Sequence, residues 1–169
     1  MAAGRAPHVP LWGWAAWQKH VTLLAMLAAC VLAALAIRRP NPFSFGGRAG
    51  AGFDAARPGI LRYARHPLLV ALALWAGGHM VPNGDLAHVA LFGLFAGFAM
   101  LGQRIVDRRR KQALGPEWER LDAARRAVPA WPPRPASVRG GVARLGLGLA
   151  AFVGLVALHP LVIGVSPLP

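Results

Sequence analysis

Hydrophobic residues in this chain come in long blocks, and the polar residues that separate the blocks are mostly basic or helix-breaking. The first block, His20 to Ile37, is long enough for a helix of about 27 Å, close to the thickness of a bilayer core. Two charges and two prolines, Arg38-Arg39-Pro40-Asn41-Pro42, stop it. A glycine-containing loop, Pro40 to Pro58 with Gly46-Gly47, Gly50 and Gly52, leads to the second block, 60–81. Pro67 disfavours helical geometry at His66, so Pro67 to Val81 alone gives only about 22 Å. The pattern therefore predicts that Ile60 to Arg65 continues this helix across a kink, with Arg62 and Arg65 reaching to lipid headgroups. A tight turn, Pro82-Asn83-Gly84-Asp85, precedes the third block, 86–106, where Gly93 and Gly97 stand at GxxxG spacing and predict close helix packing. Gly115-Pro116 breaks the polar segment that follows, and Glu117 to Arg126 reads as a short amphipathic helix before a proline-rich turn. The fourth block is 142–162. The architecture predicted is all-α: a polytopic transmembrane helical bundle of four spans forming one integral membrane domain over 1–169, with loops at 38–59 and 107–141.

Composition agrees with that reading. Of the 169 residues 56% are hydrophobic and only 15% charged, and the mean hydropathy of +0.43 is too high for an ordinary soluble domain. The formal net charge of +13 would suggest nucleic acid in a soluble protein, but no nucleic-acid motif accompanies it. The bases cluster instead. Arg38, Arg39, Arg48, Arg57, Arg62 and Arg65 lie between the first two spans, and Arg104 to Lys111, Arg120, Arg125, Arg126, Arg134 and Arg139 between the last two. The turn at 82–85 and the tail after Val162 carry none, and the N-terminus only Arg5 and Lys19. The positive-inside rule then places both loops in the cytoplasm and both termini outside. Trp12, Trp14 and Trp17 suit the membrane–water interface. The single cysteine, Cys30, excludes an intrachain disulfide and reads as a small buried hydrophobe. There is no catalytic serine constellation, CxxC, P-loop or dinucleotide fingerprint.

Candidate chemistry rests on histidines. His20, His79, His88 and His159 fall on the outer side, and His79, in an apolar setting after two glycines, is the prime candidate ligand for haem or a metal, with His20 and His159 as weaker second ligands. The residues alone leave open that His79 only hydrogen-bonds a neighbouring helix. His66 lies 13 residues from His79, about 20 Å along a helix, so the two do not share a metal. With Arg62 and Arg65 it forms a cationic corner suited to a carboxylate, a phosphate or a haem propionate, or simply to lipid phosphates. Asp107 beside Arg108 to Arg110 reads as a cap or ion pair at the membrane edge.

Four motifs occur in order: Asn41-Pro42-Phe43-Ser44-Phe45-Gly46, Gly59-Ile60-Leu61-Arg62-Tyr63-Ala64-Arg65-His66-Pro67, Gly78-His79 through Asn83-Gly84-Asp85, and Asp107-Arg108-Arg109. On these the chain resembles the NnrU family from about Trp12 onward. These bacterial inner-membrane proteins are associated with nitric oxide and denitrification and are similar to the plant 15-cis-zeta-carotene isomerase. The isomerase relatives hold haem b between two histidines and isomerise a polyene double bond through a redox-dependent ligand switch. The position that matches one ligand is His79. The other belongs to an earlier helix of the family pattern, and the chain is expected to begin near the third span of that pattern, without the usual N-terminal helices. His20, His159 or another subunit would then supply the second ligand. A more distant resemblance, to the isoprenylcysteine carboxyl methyltransferase superfamily, rests on Arg62 to Pro67, Leu114-Gly115-Pro116-Glu117-Trp118 and Ala127-Val128-Pro129. It would assign Arg65 and His66 to S-adenosylmethionine, although Asp107-Arg108-Arg109-Arg110 replaces the glutamate pair usual there. The expectation is therefore an NnrU-like membrane protein that binds haem b. The alternatives are a non-catalytic membrane subunit or sensor, then a methyltransferase relative. Partners are membrane lipids, with a membrane protein or a second copy of the chain, and no nucleic acid.

Overall fold

The computed structural model describes residues 7–45, 52–133, 135 and 137–169. Arg5, Arg48, Arg134 and the glycines at 46, 47 and 50, which enter the loop and motif readings above, lie outside them. Helix α1 is Trp17–Ala36, α2 Pro67–Met80, α3 Leu86–Leu114, α4 Pro116–Ala127 and α5 Val138–Ile163, with a 3₁₀ turn at Gly59–Arg62. Among the described residues there is no strand, and Pro10 and Asp85 form an isolated antiparallel bridge.

Three helices, α1, α3 and α5, are long and apolar enough to cross a bilayer. The second block differs from expectation. Helix α2 begins at Pro67 and has 14 residues, about 21 Å, because the proline ring holds His66 out of helical geometry at φ −120° and ψ 61°. Gly59 to Arg62 forms a separate 3₁₀ turn, so no kinked helix joins the two, and α2 stays shorter than the three long apolar helices. Helix α3 instead runs two turns beyond its apolar part. It ends at Gly115, whose φ of +56° suits glycine, and Pro116 opens α4 at a position where a missing N–H costs nothing. Asp85 caps α3 by accepting from Ala87 N and His88 N, and Ser137 caps α5 by accepting from Gly140 N.

Helix α1 packs against both α2 and α5, and α2 against α3. Small residues make these contacts. A Cβ on Gly78 would lie 2.7 Å from Ala25 Cβ, and one on Gly148 2.9 Å from Val31 Cα, so the helices approach closely only because both are glycine. Thr22 Oγ1 donates to Gly78 O at 2.7 Å across the same seam. Gly93 and Gly97, by contrast, face open space within the chain. The GxxxG spacing does not bring α3 onto another helix of this chain.

The largest fully buried side chains lie in the loop after α1 and in the first turn of α2. Phe43 and Leu69 are fully buried, and Phe43 gathers Phe53 and Trp118 edge-on at 5.8 and 5.9 Å. Asn41, Ser44, Leu61, His66, Asp122, Arg125 and Val128 are buried with it. A compact polar core thus sits at the basic end, where the loop after α1, the N-terminus of α2, the end of α3 and α4 meet. At the opposite end, residues 9–12 strap the α2–α3 turn: Leu11 N and Trp12 N donate to Gly84 O, Leu86 N to Val9 O, and Trp12 Nε1 to Val81 O.

Candidate functional site

Two sites emerge, one at each end of α2. At the basic end Pro67 starts the helix and leaves His66 as its N-cap, with the imidazole only 2% exposed. Its Nε2 lies 2.8 Å from Asp107 Oδ1. Arg65 meets the same carboxylate twice, Nε to Oδ1 at 3.1 Å and Nη2 to Oδ2 at 2.6 Å, the paired geometry in which guanidinium binds carboxylate most firmly. Arg65 Nη1 also stands 3.6 Å from Asp122 Oδ1. Asp122 is held by Arg125, with Nε at 2.7 Å, and by Arg126, with Nη2 at 2.7 Å. Arg125 Nη1 donates to Leu61 O at 2.8 Å, Arg62 Nε to Val128 O at 2.5 Å, and Tyr63 Oη to Ala130 O. Asn41 Nδ2 donates to Arg65 O, and Arg110 Nη2 to Ser44 O. Trp118 closes the cluster, with the Arg65 guanidinium 5.4 Å and Lys111 Nζ 4.1 Å from its ring centre.

Burial pushes the His66 imidazole below its ordinary range, and the hydrogen bond to Asp107 opposes this only in part. The neutral ring therefore donates Nε2–H to Asp107, and its Nδ1 lone pair is buried without a partner among the described residues, as is Trp118 Nε1–H. Burial likewise lowers Arg125, against the pull of Asp122. Burial alone would also lower Arg65, but Asp107 outweighs it and raises the guanidinium.

At the other end His79 is half-buried on the last turn of α2. Its Nδ1 lies 2.8 Å from Trp75 O, and since a carbonyl only accepts, Nδ1 carries the proton and the lone pair is on Nε2. The ring stands 5.5 Å from Trp75 and 5.4 Å from Phe92. His88 pairs with Asp85 at the start of α3 and stacks on Phe92 at 6.4 Å. His159 Nδ1 donates to Val165 O at 2.7 Å, and His20 is exposed on the first turn of α1. Among the described residues no three of histidine, cysteine, aspartate and glutamate gather as metal ligands would.

The sequence-derived sites thus divide. Arg65 and His66 come together with Asp107, while Arg62 turns to a backbone carbonyl. Neither Arg62 nor Arg65 reaches outward in the way expected of headgroup contacts. Asp107 is the hub, and its ion pair is with residues 41 and 42 positions earlier, not with Arg108 to Arg110. Asp122 and Arg125 had no assigned role in the sequence reading. The signal for Asp107 was a lone acid amid bases, seven residues short of the helix end and so too deep to cap it.

No curated protein and no solved structure is measurably similar to the chain. The family model described as NnrU protein matches residues 1–167, taking in the strap, the polar core and His79 alike, and the chain belongs to the NnrU family.

Proposed function

We propose that this is a bacterial inner-membrane protein, with both termini periplasmic, that holds haem b through His79 and acts in nitric oxide and denitrification metabolism or in a redox-dependent, isomerase-type reaction. The observation that carries the reading is the His79 ring. Trp75 O fixes the proton on Nδ1, so Nε2 presents the neutral lone pair that an axial ligand needs, and this carbonyl contact is the usual outer-shell partner of a metal-binding histidine. The Trp75 and Phe92 rings beside it suit a flat apolar macrocycle. His159 has the same arrangement, Nδ1 on Val165 O, which favours it over His20 as the second ligand of this chain. Bound here between two histidines, haem would supply one-electron chemistry.

The test is an absorption spectrum of detergent-purified protein, oxidised and dithionite-reduced, beside His79→Ala and His159→Ala. A Soret band that shifts on reduction, is lost in the first variant and is altered in the second supports the reading. Haem-free protein that takes up no added haem overturns it.

A second reading, a non-catalytic membrane subunit, is favoured by Gly93 and Gly97, which offer α3 for close packing that the chain itself does not use. Co-purification of a membrane partner in place of a cofactor would be its signature. A methyltransferase reading needs Arg65 and His66 available to S-adenosylmethionine, and both are engaged with Asp107.

A further inference from the structure

The last turns of α3 divide their charges between two faces. Asp107, Arg110 and Lys111 are engaged by the rest of the chain, with Arg65 and His66, with Ser44 O, and with Glu119 and Trp118. Arg104, Arg108 and Arg109 turn outward, are exposed, and line an open cleft of about 650 Å³ with Ile105 and Gln112. They make no ion pair or hydrogen bond among the described residues. No side-chain carboxylate remains to serve them. The chain has six. Asp85, Asp107, Glu117, Glu119 and Asp122 each have a cationic or histidine partner, and Asp54 accepts from Ala56 N. The cleft is thus a three-guanidinium site that only an external anion can neutralise.

Its neighbours say which anion. Leu94, Phe98, Leu101 and Ile105 recur at helical spacing on α3 and are 71%, 62%, 58% and 52% exposed. Their stripe runs directly into the three arginines. From Leu94 to Ile105 it covers about 16 Å, and one leaflet of a bilayer core is about 15 Å thick. An apolar stripe one leaflet long that ends in a cationic cleft matches a molecule with acyl chains and an anionic head. We infer that Arg104, Arg108 and Arg109 form a binding site for the phosphodiester headgroup of an anionic phospholipid, whose acyl chains lie along Leu94 to Ile105. A soluble phosphate would fill the cleft and leave the stripe unused. A zwitterionic lipid would bring an ammonium against three guanidinium groups.

The test is native mass spectrometry of the full chain in neutral detergent, titrated with phosphatidylglycerol, with phosphatidylcholine, and with phosphatidylglycerol in the presence of inorganic phosphate. Each arginine that meets the headgroup contributes about fivefold to anionic-lipid affinity, so R104Q/R108Q/R109Q should bind phosphatidylglycerol on the order of a hundredfold more weakly. Phosphatidylcholine binding should not change. R38Q/R120Q/R139Q, which removes the same charge elsewhere, should bind as the wild type does. The single variant R108Q, about fivefold weaker, gives the same answer if the triple variant misfolds. Equal losses in the two triple variants, no loss in the first, or displacement of the lipid by equimolar inorganic phosphate would overturn the assignment.

Discussion

Replacing Asp107 by alanine tests the polar core at its hub. The substitution removes the two hydrogen bonds from Arg65, at 3.1 and 2.6 Å, and the one from His66 at 2.8 Å. Of its acidic partners Arg65 keeps only Asp122, at 3.6 Å, and neither ring nitrogen of His66 then has a partner. A buried imidazole N–H left without an acceptor costs about 1–3 kcal/mol. Breaking a fully buried ion pair costs about 3–5 kcal/mol and a surface pair about 0–1. With the Arg65 and Asp107 side chains 25% and 19% exposed, this pair falls between those limits. The combined loss is about 3 kcal/mol, or roughly 6–12 °C in melting temperature for a protein of this size. Thermal unfolding in detergent reads it directly. Asp107→Asn keeps the shape and an acceptor oxygen and should lose about half as much. A double-mutant cycle of Arg65→Met with Asp107→Leu should return a coupling above about 1 kcal/mol. A melting temperature for Asp107→Ala within 2 °C of wild type, or simple additivity in the cycle, would refute the reasoning.

Other outcomes follow from named contacts. Gly78→Ala and Gly148→Ala force a Cβ into Ala25 and the Val31 backbone and should each cost about 1–3 kcal/mol, whereas Gly97→Ala, facing open space, should be neutral or stabilise by up to about 1 kcal/mol; melting curves separate them. Altered migration of Gly97→Ala on a native gel would show that this face packs against another molecule. His66 is held neutral below its ordinary range, so the unfolded chain binds the extra proton: the stability it contributes is complete above about pH 6.5 and declines as pH falls below it, by at most about 1.4 kcal/mol per unit. His66→Gln should flatten that part of a melting-temperature profile between pH 8 and 5, and an unchanged slope would remove His66 as its source. Gly84→Ala would place a Cβ 2.5 Å from Trp12 O and should free the 9–12 strap, read as faster proteolysis ahead of Trp17 with the bundle intact.

The long apolar helices were legible because eighteen or more apolar residues in sequence have few soluble alternatives, and α1, α3 and α5 follow the blocks to within a turn or two. The second block misled. Its stretch from Pro67 to Val81 was too short to span a bilayer, so Ile60 to Arg65 were read as continuing the helix, although Pro67 disfavours helical geometry at His66. Gly93 and Gly97 misled for another reason: spacing states that a helix can be approached closely, not that its own chain does so. The polar core was least legible. The contacts that bring its segments together join residues 41 to 64 apart, and no periodicity links Arg65 to Asp107 or Leu61 to Arg125. What the sequence did supply was membership of motifs, since Asn41, Phe43, Ser44 and Arg62 to Pro67 were singled out together and do meet. At His79 the residue was legible but its tautomer was not, because that depends on where Trp75 O points.

The order in which the core is completed bears on how the protein is made. Arg65 leaves the ribosome 42 residues before Asp107 and 57 before Asp122. At about 5–20 residues per second, Arg65 waits roughly 2–8 s for its first carboxylate. Through that interval it is an uncompensated cation at the start of an apolar segment, the kind of charge that translocation machinery reads when it sets orientation. Once α3 has been inserted, Asp107 takes the same guanidinium into the interior, and it no longer faces either lipid or water freely. In the proposed orientation one side chain would serve first as an address label for insertion and afterwards as a fastening, so that a defect at Arg65 would strike both stages of biogenesis and a defect at Asp107 only the second.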